Sequence, residues 1–145
     1  MAFKKIVVGY DGSQYANNAL KKAIEVAKCS NGEVYIVGVI KPIDFGIVDY
    51  ITPTEIEEYE KEEISKEEKY LKEAIKIVEE SGLKAFYKVL EGDPSEEIMS
   101  YADEVEADLI VVGHRGLGGF KRLLLGSTSS ELVKYAKQTV LVVKS

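Results

Sequence analysis

The sequence predicts a three-layer α/β/α fold, with helices covering both faces of a five-stranded parallel sheet. Two observations carry that prediction. Four short apolar runs, rich in β-branched residues, are continuous where a half-buried strand would alternate. Strands covered on both faces read this way. Segments of helical period lie between the strands, so the chain reads β-α-β-α-β-α-β-α-β, and alternation of that kind gives right-handed crossovers.

The first strand is Ile6-Val7-Val8, which runs into Gly9-Tyr10-Asp11-Gly12-Ser13. Ala16, Leu20, Ala23, Ile24 and Ala27 then fall on one face of a helix that Asn31-Gly32 stops. Val34 to Ile40 is the second strand. The segment 41–51, with Pro42 and Gly46, has no regular period. It is either a flap over a site or a loop packed on the surface. In the second helix Thr52 caps, Pro53 fits the first position and Glu55 the third. Ile64, Leu71, Ala74, Ile75 and Val78 keep its stripe, and Ser81-Gly82 ends it. It would be about 40 Å long at 1.5 Å per residue. The stripe is thin before Ile64, so the first turns project or fray.

Lys84 to Leu90 alternates more than the other strands, which suits an edge. Asp93 caps the third helix, with Pro94 and Glu96 in the first and third positions. Ile98, Ala102 and Val105 continue its buried face. Leu109 to Val112 is the fourth strand. It leads through Gly113-His114-Arg115-Gly116-Leu117-Gly118-Gly119 and residues 120–125 to Gly126-Ser127-Thr128-Ser129-Ser130, which opens the last helix. Leu132, Val133 and Ala136 carry that helix on, and Val140 to Val143 is the last strand.

With 145 residues, the chain fits one domain of roughly 100–200 residues. The reading is therefore a single domain over 1–145. The net charge of −6 is local. Between Glu55 and Glu80 stand 11 Glu and 5 Lys, a balance of −6, which leaves the rest of the chain neutral. The plain reading of that segment is a solvated outer face; a partner surface is the other. No basic patch for DNA or RNA is expected, nor a polybasic segment for an anionic membrane. One cysteine, Cys29, and one histidine, His114, leave no disulfide and no paired metal motif. No apolar stretch approaches about 18 residues, and the start lacks a signal-peptide core, so the expected compartment is cytoplasmic. Cys29 reads as a small buried hydrophobe at a helix end.

Ligands of open α/β sheets bind beyond the carboxyl ends of the strands. After strand four, glycines let backbone N–H groups approach an anion, and a helix N-terminus adds unpaired donors with partial positive charge. Ser127 to Ser130 would add hydroxyls; Arg115, Lys121 and Arg122 would add positive charge. The other reading is structural: glycines make turns, and Ser127 caps the helix. A Walker A loop, a dinucleotide fingerprint and a Gly-x-Ser-x-Gly elbow are all lacking.

Gly113-x2-Gly116-x9-Gly126-Ser127 resembles the nucleotide-binding motif of the universal stress protein family, in its ATP-binding branch. Ile6 to Ser13 resembles the family's opening strand and loop, and Val140 to Lys144 its closing strand. The resemblance implies strand order 3-2-1-4-5, a Rossmann-like fold, and a homodimer that binds ATP, ADP or AMP. Carried over by position, Asp11 and Gly12 would sit at the ribose or phosphate side, with Asp11 best placed for a ribose hydroxyl. The Val39 backbone would meet adenine, and Gly113 the ribose. Gly116, Gly126, Ser127 and Thr128 would hold phosphates, with Arg115 adding charge. Mg2+ or Mn2+ would ride on the phosphates. Two positions depart from the family pattern. His114 stands where a small hydroxyl residue is usual, and Thr139 stands where proline is frequent.

Three functions follow from this. The first is a nucleotide-dependent regulatory or stress-response protein. The second is a slow ATPase or phosphotransferase, for which no orienting carboxylate lies near His114 in sequence. The third is an interaction protein with a vestigial site. Catalytic residues are not assigned. Under the implied order the last strand is an apolar edge guarded only by Thr139 and Lys144, and edges are usually paired or protected. A two-fold homodimer through Val140 to Val143 is expected.

Overall fold

The computed structural model describes residues 2–42, 52–115 and 126–144. Its elements are β1 (Lys5–Gly9), α1 (Gln14–Ser30), β2 (Glu33–Ile40), α2 (Pro53–Glu80), β3 (Ala85–Glu91), α3 (Pro94–Glu104), β4 (Leu109–Gly113), α4 (Ser127–Tyr135) and β5 (Thr139–Val143). All five strands are parallel and stand in the order β3-β2-β1-β4-β5. The register places Val7 beside Tyr35 on one side and Ile110 on the other.

The unbroken apolar runs have the cause the sequence suggested. Successive side chains of a strand point to opposite faces, and here each face is covered. Ile6, Val8, Ile36 and Val111 pack with Leu20, Ala23, Leu71 and Val78 of α1 and α2. Val7, Val37 and Ile110 pack with Ile98, Ala102 and Leu132 of α3 and α4. Each large aliphatic side chain removed from water in this way contributes about 1.5–3 kcal/mol.

The helix ends follow local chemistry. Ser13 Oγ accepts from Ala16 N–H at 3.1 Å, and Asn31 closes α1 in the left-handed region at φ 53°. Thr52 and Glu55 form a reciprocal capping box, with Pro53 opening α2. Asp93 caps α3 through Glu96 N–H. The first turns of α2 are largely exposed, and its burial is concentrated at Leu71, Ala74 and Val78. The acidic stretch thus rides mostly in solvent.

Two expectations need correction. Cys29 is exposed. It lies two residues beyond Ala27, about 200° around the helix from the buried face, and its Sγ donates to the Glu25 carbonyl at 3.4 Å. The alternation expected of β3 is also blurred. Phe86, Tyr87 and Lys88 are all exposed, because β3 ends the sheet where helix cover thins. Among the described residues no helix is long and apolar enough to cross a membrane.

Candidate functional site

The strand order reverses between β1 and β4, so the switch point lies where their carboxyl ends open. On the β1 side the chain turns sharply at Asp11-Gly12-Ser13. Asp11 Oδ1 accepts from Ser13 N–H at 3.0 Å, and Gly12 adopts φ 80°, a conformation that favours glycine. Tyr70 of α2 lies over Gly12, its ring 3.6 Å from where a Cβ would stand. Tyr10 donates its hydroxyl to Asn17 Oδ1 at 2.7 Å. Burial first, and then Glu73, Asp11 and Glu67, push the Tyr10 phenol above its ordinary range.

Val39 faces this opening with its backbone. Tyr10 N–H donates to Val37 O at 2.8 Å, so the polar groups of Val37 point toward β1. Ile40 O accepts from Gly92 N–H on the β3 side at 3.0 Å. Strand alternation therefore directs Val39 N–H and C=O toward β1, and β1 has already turned away beyond Tyr10. The opening receives one donor and one acceptor from Val39.

On the β4 side three glycine or histidine contacts set the geometry. Gly113 is demanded by the fold: a Cβ there would come within 2.8 Å of the Tyr15 backbone. His114 is buried, donates its backbone N–H to Val143 O at 2.8 Å, and meets the Tyr15 ring edge-on at 6.2 Å. Its carbonyl accepts from Gly126 N–H at 3.0 Å and lies 3.3 Å from Ser129 Oγ. These bonds start α4 directly beside the end of β4.

Gly126 is the N-cap of α4, and it brings no side-chain cap. The first intrahelical bond is Ser130 N–H to Gly126 O at 3.0 Å, so among the described residues the N–H groups of Ser127, Thr128 and Ser129 have no intrahelical partner. Ser127 is thus the first helical residue and not the cap. Ser127 is exposed and Thr128 partly so. Ser129, which the composition counted among the ligand hydroxyls, is turned inward and shares its proton between two carbonyls. Arg115 is buried at 8% exposure, so it is not the exposed cation the composition suggested. Gly116, Lys121 and Arg122, and the segment 43–51, lie outside the described residues.

Several neighbours were missed by motif reasoning. Glu67 and Tyr70 come from α2, and Tyr15 and Asn17 from α1. Gly38 was the available signal. A glycine inside an otherwise apolar strand marks a close approach, and here Glu67 lies against it.

An open parallel sheet with this order, and an uncapped helix N-terminus at its switch point, define an α/β protein of the Rossmann-like class. Residues 2–144 match the universal stress protein family, and the chain belongs to that family. It is 41% identical over 109 residues to universal stress protein MJ0531 from Methanocaldococcus jannaschii. That match covers 74% of this chain and 62% of the relative, less than two thirds of the relative's length. Universal stress protein UspA from Lactobacillus plantarum has the same fold, with a TM-score of 0.86 and 25% identity over 99% of both chains. The universal stress protein from Archaeoglobus fulgidus in complex with dAMP matches at TM-score 0.68 and 26% identity. That match covers 99% of this chain and all (100%) of the other.

Proposed function

We propose that the protein binds an adenine nucleotide in the crevice between the ends of β1 and β4, and that it acts as a nucleotide-dependent regulator. The observation that carries this is the α4 N-terminus. It starts at the switch point without a side-chain cap, at a glycine where a Cβ would come no closer than 3.6 Å to any described atom. An anion completes such a helix end, since the unpaired donors and the helix dipole both favour negative charge. The dAMP held by the related Archaeoglobus fulgidus protein supports the class of ligand.

In this reading the phosphates meet Gly126, Ser127 and Thr128, together with Gly116. Asp11 takes a ribose hydroxyl, beside Gly12 and Gly113, and Val39 N–H and C=O meet the edge of the adenine. Arg115, buried just beyond β4, adds positive charge on the phosphate side. Asp11 beside a polyphosphate would repel it, so Mg2+ or Mn2+ accompanies ATP on the phosphates. The copies pair through β5. That strand ends the sheet, and Val140, Leu141 and Val142 are only half-buried. The compartment in this reading is the cytoplasm, with no nucleic acid as partner. Hydrolysis is at most slow: the only histidine is packed against Tyr15 and bound into the β5 backbone contact.

The test is purification without added nucleotide, denaturation, and chromatography of the supernatant, followed by calorimetry with AMP and ATP with and without Mg2+. Released adenine nucleotide or a saturating heat signal is expected. No binding of either nucleotide would end this reading.

A further inference from the structure

We propose that Glu67 of α2 selects the base: it makes the gap above β1 accept a ring bearing an exocyclic amine and reject one bearing an oxygen at that position. The proposal rests on the nucleotide reading above.

The inner face of α2 changes character along its length. Val78, Ala74 and Leu71 are buried against the sheet, and one turn upstream the same face presents Glu67. Its side chain lies flat on β2. A Cβ on Gly38 would stand 2.7 Å from Glu67 Oε1 and 2.9 Å from its Cγ, so the carboxylate occupies a notch that glycine leaves open. Within the described residues it has no ion-pair partner and no hydrogen bond. Burial and the nearby charges of Asp11 and Glu63 push its carboxyl above the ordinary range, with Lys66 opposing. Glu67 is thus a carboxylate between the end of β2 and the Asp11 turn, and nothing described neutralises it fully.

The polar groups around the gap are unbalanced. Val39 offers one N–H and one C=O, while Glu67 offers an acceptor. A 6-aminopurine answers that set. Its ring N1 accepts from Val39 N–H, one amine hydrogen goes to Val39 C=O, and the second hydrogen is left for Glu67. A 6-oxopurine inverts it, placing its oxygen against a carbonyl and a carboxylate, and its ring N–H against Val39 N–H. A site built to receive an N–H rejects the analogue that lacks it, because its own polar groups are left unpaired. Val39 reads the ring nitrogen and one amine hydrogen; Glu67 reads the other.

The experiment measures AMP and inosine monophosphate binding by calorimetry on the full chain. Wild type is expected to prefer AMP. Glu67→Gln keeps the shape and supplies an amide N–H, so the ratio of the two dissociation constants should fall by about tenfold. Gly38→Ala displaces Glu67 from the notch and should lower the same ratio, while a melting curve reports whether the fold has held. If Glu67→Gln binds AMP with the preference unchanged, or strengthens both nucleotides equally, Glu67 is not the selector and the nucleotide reading stands. If wild type binds neither AMP nor ATP, the nucleotide reading fails and this inference falls with it.

Discussion

Gly113 and Gly126 belong to the same motif, yet the structure gives them opposite reasons for being glycine. Adding one methyl group to each separates the two. At Gly113 the new Cβ would lie 2.8 Å from the Tyr15 carbonyl carbon, Cβ and oxygen. Backbone cannot step aside cheaply, and overpacking of this kind costs about 1–3 kcal/mol. At about 4 °C per kcal/mol for a chain of this size, Gly113→Ala should lower Tm by roughly 4–12 °C. At Gly126 the nearest atoms among the described residues are the Arg115 Cα and the His114 oxygen at 3.6 Å, which is ordinary contact, and φ is −63°. Alanine is a poorer N-cap than glycine, and reduced freedom of the unfolded chain offsets part of that difference. The net change for Gly126→Ala is within roughly 1 kcal/mol.

The binding consequence runs the other way. A methyl at Gly126 stands where the phosphate would approach the α4 donors. Loss of one hydrogen bond to a charged group is worth about 1.5–3 kcal/mol, or roughly tenfold to over a hundredfold in affinity. Gly126→Val should be more severe. Denaturant unfolding and AMP titration on the same preparations check both halves. Gly126→Ala that folds and binds AMP as wild type would refute the phosphate assignment. Gly126→Ala that loses several kcal/mol of stability would refute the claim that the fold tolerates a side chain there.

Other outcomes are expected. Glu67 holds its proton more tightly in the folded chain than in the unfolded one, so its ionisation opposes folding. That penalty is absent below the ordinary carboxylate range, grows as pH rises from that range toward the elevated one, and is complete above it. Glu67→Gln should therefore match wild type in acid and exceed it near neutrality, as measured by unfolding at a series of pH values. Ser13→Ala removes the cap bond to Ala16 and should cost about 1 kcal/mol of stability. Leu132 is fully buried and anchors α4 to the sheet, so Leu132→Ala should cost about 2–5 kcal/mol. Leu141→Lys puts a charge on the β5 edge. Sedimentation should show a dimer for wild type and a monomer for the variant, and a monomeric wild type would refute pairing through β5.

Much of this molecule is legible in its sequence. The caps at Thr52 and Asp93 and the stop at Asn31 depend on residues within a turn of one another, and local physics decides them. The unbroken runs of β1 and β4 reported that both faces of the sheet are covered. The glycines at 113 and 126 marked the switch-point loop. The exposure of Cys29 follows from its place on α1, off the face that Ala23 and Ala27 bury.

What the sequence alone determined is therefore the set of elements, their alternation and the concentration of the whole −6 on α2, since each rests on neighbours in the chain. What only the tertiary structure decided rests on approaches between distant residues. Gly113 is glycine because Tyr15 presses on it, and Gly38 is glycine because Glu67 lies against β2 there. Ser129 is turned inward and Arg115 is buried, although composition placed them with the ligand. Even the acidic helix is divided by packing. Most of its charge rides in solvent, and the one turn that crosses β2 brings a carboxylate to the crevice. Periodicity finds the face of that helix; only the packing of α2 against the sheet says which residue arrives at the strand end.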